Sequence, residues 1–303
     1  MIEHKEESIW AFAEYFPDEI SCVRRLLDTR FRDSAPCGVC GVSVSWKYQG
    51  YSATYYRHCC RRVFPRTGTL AAFTSVPLKT WFFGILLASN FDGRVSTDFL
   101  SRHLGLDVKV ARRVALRIRL HMTALALQNN SPLEGPVYVD EMLLTAVSNE
   151  KRELDRPVII FGIDNRTSVR LFCAPDWKAR TLIPVIKRHV VSDSKIVADG
   201  FSSYDSLAAQ GFVLSRVNHT QAMWRNSIGD TTAPIDNVWA GLRRHLEGAH
   251  LRVASDKLWT YLGQHMFILQ CRRSGLSPFW EALRSFPDIW ERENDMRSQI
   301  DLR

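Results

Sequence analysis

Apolar and polar residues follow three different rhythms along this 303-residue chain. Between positions 8 and 30, Ile9, Phe12, Ile20, Val23 and Leu27 recur at helical spacing, interrupted by the turn Phe16-Pro17-Asp18-Glu19. From about 34 to 70 that rhythm is lost, and a stretch rich in Gly, Ser and aromatics predicts short strands and turns. Helical spacing returns from Leu78 to about Leu127. There a segment Val95–Leu104 ends at Gly105, and a second runs from about Val108 to Met122. A short helix, a glycine turn and a basic helix are the outline of a helix-turn-helix. The polar run Gln128-Asn129-Asn130-Ser131-Pro132 predicts a domain boundary.

Beyond it the pattern alternates strands with helices. Val137–Asp140, Val158–Ile163 and Val169–Cys173 predict strands, and a helix is expected over about Arg180 to Val190. The strand Lys195–Ala198 ends at Asp199, a short helix covers about Ser203 to Gln210, and Phe212–Val217 is a further strand. A longer helix spans roughly Ile235 to Glu247. Three strands followed by alternating helices and strands imply an α/β fold, with a mixed sheet flanked by helices. Phe279, Leu283, Phe286 and Ile289 suggest a closing helix packed on the body or on a partner subunit. Five units are expected: a helical segment 1–33, a cysteine module 34–70, a helical region 71–130, an α/β domain 131–273 and an extension 274–303.

Charge narrows the choice of partner. A formal net charge of +8 favours a polyanion, nucleic acid above all, although an anionic membrane surface fits the same balance. The start MIEHKEESIW has no secretory pattern, and the most apolar run, Trp81–Ala88, falls far short of the roughly 20 residues of a spanning helix. A cytoplasmic protein associated with the nucleoid is the expectation. Basic side chains gather on the second helix of the helix-turn-helix candidate, at Lys109, Arg112, Arg113, Arg117 and Arg119, and again at Arg243-Arg244. Such faces are usually just solvated, so the charge alone does not assign them.

The candidate chemistry is carboxylate chemistry. Asp140 closes the apolar run Val137-Tyr138-Val139, Asp199 closes Ile196-Val197-Ala198, and Asp236 opens a helix, where its charge also suits the dipole. Three converging acids repel one another unless cations neutralise them, and hard oxygen ligands select Mg²⁺ or Mn²⁺. Two such ions can clamp the attacking and leaving oxygens of a phosphoryl displacement. Taken singly, an aspartate at a strand end is more often a turn residue than a catalyst, and the chain has 32 acids to choose from.

The ordered series is what gives the acids meaning. Val139-Asp140-Glu141, then Ile196-Val197-Ala198-Asp199-Gly200 with Tyr204, then Val217-Asn218-His219-Thr220, then Ile235-Asp236-Asn237-Val238-Trp239 with Leu242-Arg243-Arg244 resembles the bacterial insertion-sequence transposases of the ISXO-like group, the fifteen-ninety-five family. These are relatives of the eukaryotic Merlin elements. The likeness runs from Phe16-Pro17-Asp18-Glu19 through Arg66-Thr67-Gly68-Thr69 and Leu78-Lys79-Thr80-Trp81 to about Arg272. It implies a ribonuclease H-like catalytic domain with a DDE-type triad at Asp140, Asp199 and Asp236, divalent-metal phosphoryl transfer, DNA as substrate, and a multimer on DNA. Asp236 stands where the family usually has Glu or Asn, and Arg243 where it usually has Lys. Aspartate is one methylene shorter than glutamate, and arginine presents a fork where lysine presents a point charge. A domesticated, catalytically silent DNA-binding protein is the alternative. His219 is a candidate for positioning a phosphate or a water.

Four of the seven cysteines crowd between 37 and 60. Cys37-Gly38-Val39-Cys40 is a knuckle that can place two thiolates on one Zn²⁺, and Tyr56-Arg57-His58-Cys59-Cys60 follows about twenty residues later. Cys37, Cys40 and Cys60 are the expected ligands, with the fourth either Cys59 or His58. The resemblance supports this, because the family often carries an N-terminal zinc ribbon at this place. A module that has lost its metal and packs Trp46, Tyr56 and Phe64 is the competing reading. Cys22, Cys173 and Cys271 lie among apolar neighbours and are expected to be buried small hydrophobes.

Overall fold

The computed structural model describes residues 8–31, 45–49, 53–58, 61–90, 95–144, 147–148, 157–217, 225–247, 253–290 and 292–303. The N-terminal pattern forms two helices, α1 (Ile9–Tyr15) and α2 (Glu19–Phe31), divided at Phe16-Pro17-Asp18. Ser8 caps α1 by accepting from the Ala11 N–H at 3.0 Å. Three short antiparallel strands follow, β1 (Ser45–Gln49), β2 (Ala53–His58) and β3 (Arg61–Val63). The expected zinc ligands Cys37, Cys40, Cys59 and Cys60 lie outside the described residues, and His58 is described only as the backbone end of β2.

The helical region holds α3 (Leu78–Asn90), α4 (Thr97–Leu104) and α5 (Val108–Ala126). Local signals set the α4–α5 corner. Ser96 caps α4, Gly105 ends it in the left-handed conformation at φ 63°, and Asp107 caps α5. Leu87, Val95, Leu100, Ala111 and Ala115 make a small core inside this three-helix corner.

The strands beyond are β4 (Val137–Leu144), β5 (Val147–Ser148), β6 (Val158–Asp164) and β7 (Val169–Ala174). Then come α6 (Ala179–His189), β8 (Lys195–Asp199), a 3-10 helix over Ser202–Gln210 and β9 (Val213–Val217). The chain continues through α7 (Ala233–Glu247), β10 (Val253–Ala254), α8 (Leu258–Arg273), α9 (Pro278–Ala282) and α10 (Glu293–Ile300). The mixed α/β sheet expected from the pattern is present, in the order β7-β6-β4-β8-β9. Its first three strands are antiparallel, and β8 and β9 are parallel to β4.

Alternation along each strand divides its side chains between two cores. Val137, Val139, Ile196 and Ala198 face α6 and the 3-10 helix, together with Leu182, Ile186, Tyr204 and Leu207. Tyr138, Met142, Val197 and Val217 face the other way, toward Ile235, Trp239 and Leu242 of α7 and Leu262 and Met266 of α8. This second core runs without a break into α2, α3 and α5.

The hydrophobic pattern does not predict α8, and the burial explains why. Twelve residues of this helix are buried, on all of its sides, so no amphipathic stripe exists to be read. Gly263 brings α8 tightly against α5, since a Cβ there would lie 2.2 Å from Thr123 Oγ1. Near the C-terminus, Phe279, Leu283, Phe286 and Ile289 are all buried as expected, but α9 stops at Ala282 and the last three pack from the irregular segment after it. Cys22, Cys173 and Cys271 are buried, and burial pushes the Cys22 and Cys173 thiols up to about 12.

Candidate active site

Asp140 and Asp199 come together through register. Tyr138 pairs with Val197 across the parallel β4–β8 ladder, and each aspartate lies two residues further along its own strand. They therefore sit at matched height on adjacent strands, whose backbones run about 4.8 Å apart. Parity puts both on the sheet face covered by α7, because Asp140 continues the Tyr138 series and Asp199 the Val197 series.

Helix α7 brings the third acid. Its stripe Ile235, Val238, Trp239, Leu242 and Leu246 is buried, while Asp236, Arg243 and Arg244 remain exposed. Arg243 is two helical turns from Asp236, about 10 Å along the same side. Thr232 begins the helix, and its hydroxyl donates to Asp236 Oδ2 at 2.9 Å. Asp199 Oδ1 accepts from the Phe201 N–H at 2.9 Å, which shapes the turn that follows β8.

Asp140 is the most constrained of the three. Its Oδ2 accepts from the Trp239 indole N–H at 2.7 Å. That ring fits because Gly162 faces Asp140 across the β4–β6 ladder, and a Cβ on Gly162 would lie 2.6 Å from Trp239 Cη2. Burial pushes the Asp140 carboxyl up to about 6. The Trp239 and Glu141 N–H groups oppose that rise, and the charges of Asp199 and Asp236 add to it. The three acids thus feel one another across the site.

Glu141 points to the opposite face, under the 3-10 helix. Its Oε1 accepts from the buried Tyr204 hydroxyl at 2.7 Å. Burial pushes Glu141 up to about 7, with the Tyr204 hydrogen bond opposing and Asp140 and Asp199 adding. Neither this pair nor the Gly162–Trp239–Asp140 arrangement is foreseen from the sequence. Tyr204 and Trp239 stand in the motifs, but only the fold shows that each donates to a strand carboxylate.

The donor chemistry of Asp140, Asp199 and Asp236 fits a hard divalent cation, being all carboxylate oxygen with one member desolvated and electrostatically unsatisfied. Among the described residues, no three His, Cys, Asp or Glu side chains are drawn close enough to hold one metal ion as they stand. The Asp236 carboxylate is engaged with its own helix start, and Asp140 with the indole.

The basic residues separate into two groups. Lys109, Arg112 and Arg113 are exposed on the first half of α5. Arg117, expected on that same surface, is half-buried and turned inward. It donates to the Ala72 carbonyl at 2.8 Å, and its guanidinium lies 4.4 Å from the centre of the Trp290 ring. Burial, followed by the nearby charge of Arg113, lowers its pKa. Arg119 lies 4.2 Å over the Tyr261 ring, so the second half of α5 is an internal element and not a cationic surface. His219 lies outside the described residues.

Comparison with known proteins identifies the α/β part. Residues 132–268 match the ISXO2-like transposase domain. This part of the chain is a transposase-family domain. The match begins beside β4 and ends within α8, so it contains all three acids and both faces of the sheet. Over 273 residues, 82% of this chain and 89% of the relative, the protein is 26% identical to an uncharacterized protein in transposable element ISH50 of Halobacterium salinarum. A shorter stretch of 73 residues is 34% identical to an uncharacterized transposase-like protein of Haemophilus influenzae. It covers 24% of this chain and 58% of that relative. Among the described residues, no helix of this domain or of the rest of the chain is long and apolar enough to cross a membrane.

Proposed function

We propose that the protein is a DDE-type DNA transposase that cleaves the ends of its element and joins them to target DNA, with Asp140, Asp199 and Asp236 as the metal-holding acids. The observation that carries this reading is the matched height of Asp140 and Asp199 on adjacent strands, on the face where α7 brings Asp236, inside a transposase-family domain. The strand order, with three antiparallel strands followed by two parallel ones, supports a ribonuclease H-like description of this domain.

Bound Mg²⁺ or Mn²⁺ would supply Lewis acidity and charge neutralisation at the scissile phosphate. The chain's own residues do the rest. Asp140 and Asp199 present oxygens from adjacent sheet strands, and Asp236 approaches from the exposed side of α7. Arg243, on the same side of α7, is placed to neutralise phosphate charge with its guanidinium fork. Lys109, Arg112, Arg113 and Arg244 are proposed to hold the DNA backbone, with α4 and α5 acting as a helix-turn-helix reader of the element end. In the first stage, water adds to phosphorus as the 3′ oxygen leaves and takes a proton. In the second, the freed 3′ hydroxyl displaces a target-strand 3′ oxygen at the same acids. Handling two ends together calls for a multimer.

A structural Zn²⁺ held by Cys37, Cys40 and Cys60, with Cys59 or His58 as the fourth ligand, belongs to the same proposal. Its support is the neighbouring three-stranded sheet, which has the form of a ribbon. Metal analysis of the purified protein tests it.

A silent DNA-binding descendant is the second reading, favoured by the engagement of Asp236 with Thr232. Incubating the protein with end-containing DNA and Mg²⁺ or Mn²⁺, and scoring nicked and joined strands, separates the two. Wild type is expected to cut and join, and D140A to bind DNA without cutting. Sequence-specific binding by wild type with no cutting in either metal would establish the silent reading instead.

A further inference from the structure

Five tryptophans of the described residues have an indole nitrogen whose surroundings are clear, and they fall into two kinds. Trp81, Trp259 and Trp280 bury theirs without any hydrogen-bond partner. Packing a tryptophan into this protein therefore does not by itself require a partner for the N–H. Trp290 reaches the Thr69 carbonyl at 3.1 Å. Trp239 alone among these five aims its N–H at a carboxylate, Oδ2 of Asp140 at 2.7 Å, and it does so while 5% exposed.

That aim is built into the backbone. The ring lies against β6 where residue 162 has no side chain, and any Cβ there would press on Cη2 and Cζ2 at 2.6 and 2.8 Å. The same Cβ would also meet Cδ1 of Ile235, one turn earlier on α7, at 3.0 Å. The bare glycine lets the buried ring lie close on β6, which sets its donor over β4. Asp140, on the other side, has the like charges of Asp199 and Asp236 near it. A hydrogen bond from a rigid neutral donor to an ionised oxygen is a strong one, and it selects one rotamer of a carboxylate that would otherwise have several.

We propose that Trp239 is the positioning residue of Asp140, its indole N–H fixing the carboxylate in the orientation that accepts a divalent cation, with Gly162 as the seat that holds the indole in place. This rests on the reading of Asp140 as a metal-holding acid. The role is one of orientation, through Asp140, by a side chain that is itself 5% exposed. Partners that orient ligating side chains in this way typically govern metal affinity or activity by about 10- to 100-fold.

The test compares wild type, W239F, D140N and W239F/D140N. Mn²⁺ affinity is measured by electron paramagnetic resonance on the full-length protein without DNA, alongside thermal stability, DNA binding and single-turnover cleavage of end-containing DNA. W239F keeps an aromatic ring and removes the donor, together with the part of the indole seated on Gly162. It is expected to bind DNA normally, to lose about tenfold in Mn²⁺ affinity and in cleavage rate, and to recover part of the rate at high Mn²⁺. In the D140N background the same change should cost nothing further in Mn²⁺ affinity, because the oriented group is already gone. Wild-type Mn²⁺ affinity in W239F overturns the proposal, as does a loss undiminished in the D140N background. If W239F does not fold, G162A supplies the test. It displaces the ring with every hydrogen-bonding atom retained, and it should reproduce the Mn²⁺ defect. Normal metal binding and cleavage by D140N would instead remove Asp140 from the site, a failure of the function reading that the W239F result alone cannot produce.

Discussion

Tyr204 and Glu141 are bound together at 2.7 Å on the sheet face opposite to Asp140, so consecutive residues of β4 serve two separate polar arrangements. One carboxylate faces α7, and the other is held under the 3-10 helix. The Tyr204 side chain is fully buried, and its hydroxyl is the donor that meets the partly buried Glu141 carboxylate. Removing only that hydroxyl, as in Y204F, is expected to cost about 1–3 kcal/mol, because a buried acceptor is left unmet. E141Q should leave stability nearly unchanged, since a neutral amide oxygen still accepts from Tyr204. Denaturant unfolding of the two single variants checks this. A Y204F protein as stable as wild type would mean that this hydroxyl is not what satisfies Glu141.

The α5–α8 contact gives a packing prediction. A methyl group at position 263 meets the Thr123 side chain at 2.2–2.6 Å, with helix backbone on both sides. G263A should destabilise by about 1–3 kcal/mol through overpacking. Shortening the opposing residue, in G263A/T123A, should return part of the loss. Thermal melts of the three variants decide it, and an unchanged melting temperature for G263A would show that the two helices are not packed this closely.

Arg113 and Arg117 are one helical turn apart on α5 but belong to different environments. Arg113 is exposed, whereas Arg117 is bound to the Ala72 carbonyl and lies over Trp290. R113A is expected to leave the melting temperature unchanged and weaken DNA binding, lowering the slope of log affinity against log salt by about 1. R117A should do the reverse, lowering stability by about 1–2 kcal/mol through the lost buried hydrogen bond and cation–π contact. Equal effects of the two on DNA affinity would show that α5 presents its whole length to DNA.

His121 gives a pH dependence with a definite sign. It is fully buried, with Nε2 donating to the Ala282 carbonyl at 2.8 Å, and burial holds its pKa down at about 4. A free histidine titrates near 6.5, so between about 6.5 and 4 the unfolded chain takes up a proton that the folded chain refuses. Stability from this residue is therefore fully present above about 6.5 and is lost as pH falls toward 4. The loss should reach about 3 kcal/mol. Asn at 121 keeps a donor and does not titrate, so H121N should be less acid-sensitive than wild type over that window. Parallel stability curves for the two proteins would dismiss this account.

Local chemistry alone determined much of the architecture. The Pro17 turn, the Ser96, Gly105 and Asp107 caps and the alternating runs ending at Asp140 and Asp199 are short-range signals, and each element they predict is present within a few residues of its expected ends. The mixed sheet followed from the order of those elements, and the three acids were singled out because their motifs occur in an ordered series, which falls within residues 132–268 that match the ISXO2-like transposase domain. The identity of α8 was hidden, since a helix buried on every side has no polar face to reveal its period. Arg117 and Arg113 look alike in the sequence, and only the packing of α5 against the Leu70–Ala72 turn and Trp290 separates an internal cation from an exposed one. Likewise, no spacing rule connects Trp239 with Asp140 or Gly162. They are nearly a hundred and about eighty positions apart, and it is strand register together with the seating of α7 that brings the indole to the carboxylate. Short-range preferences depend on neighbours in the chain and can be read there, whereas long-range partners depend on which surfaces meet, which is decided only when the cores close.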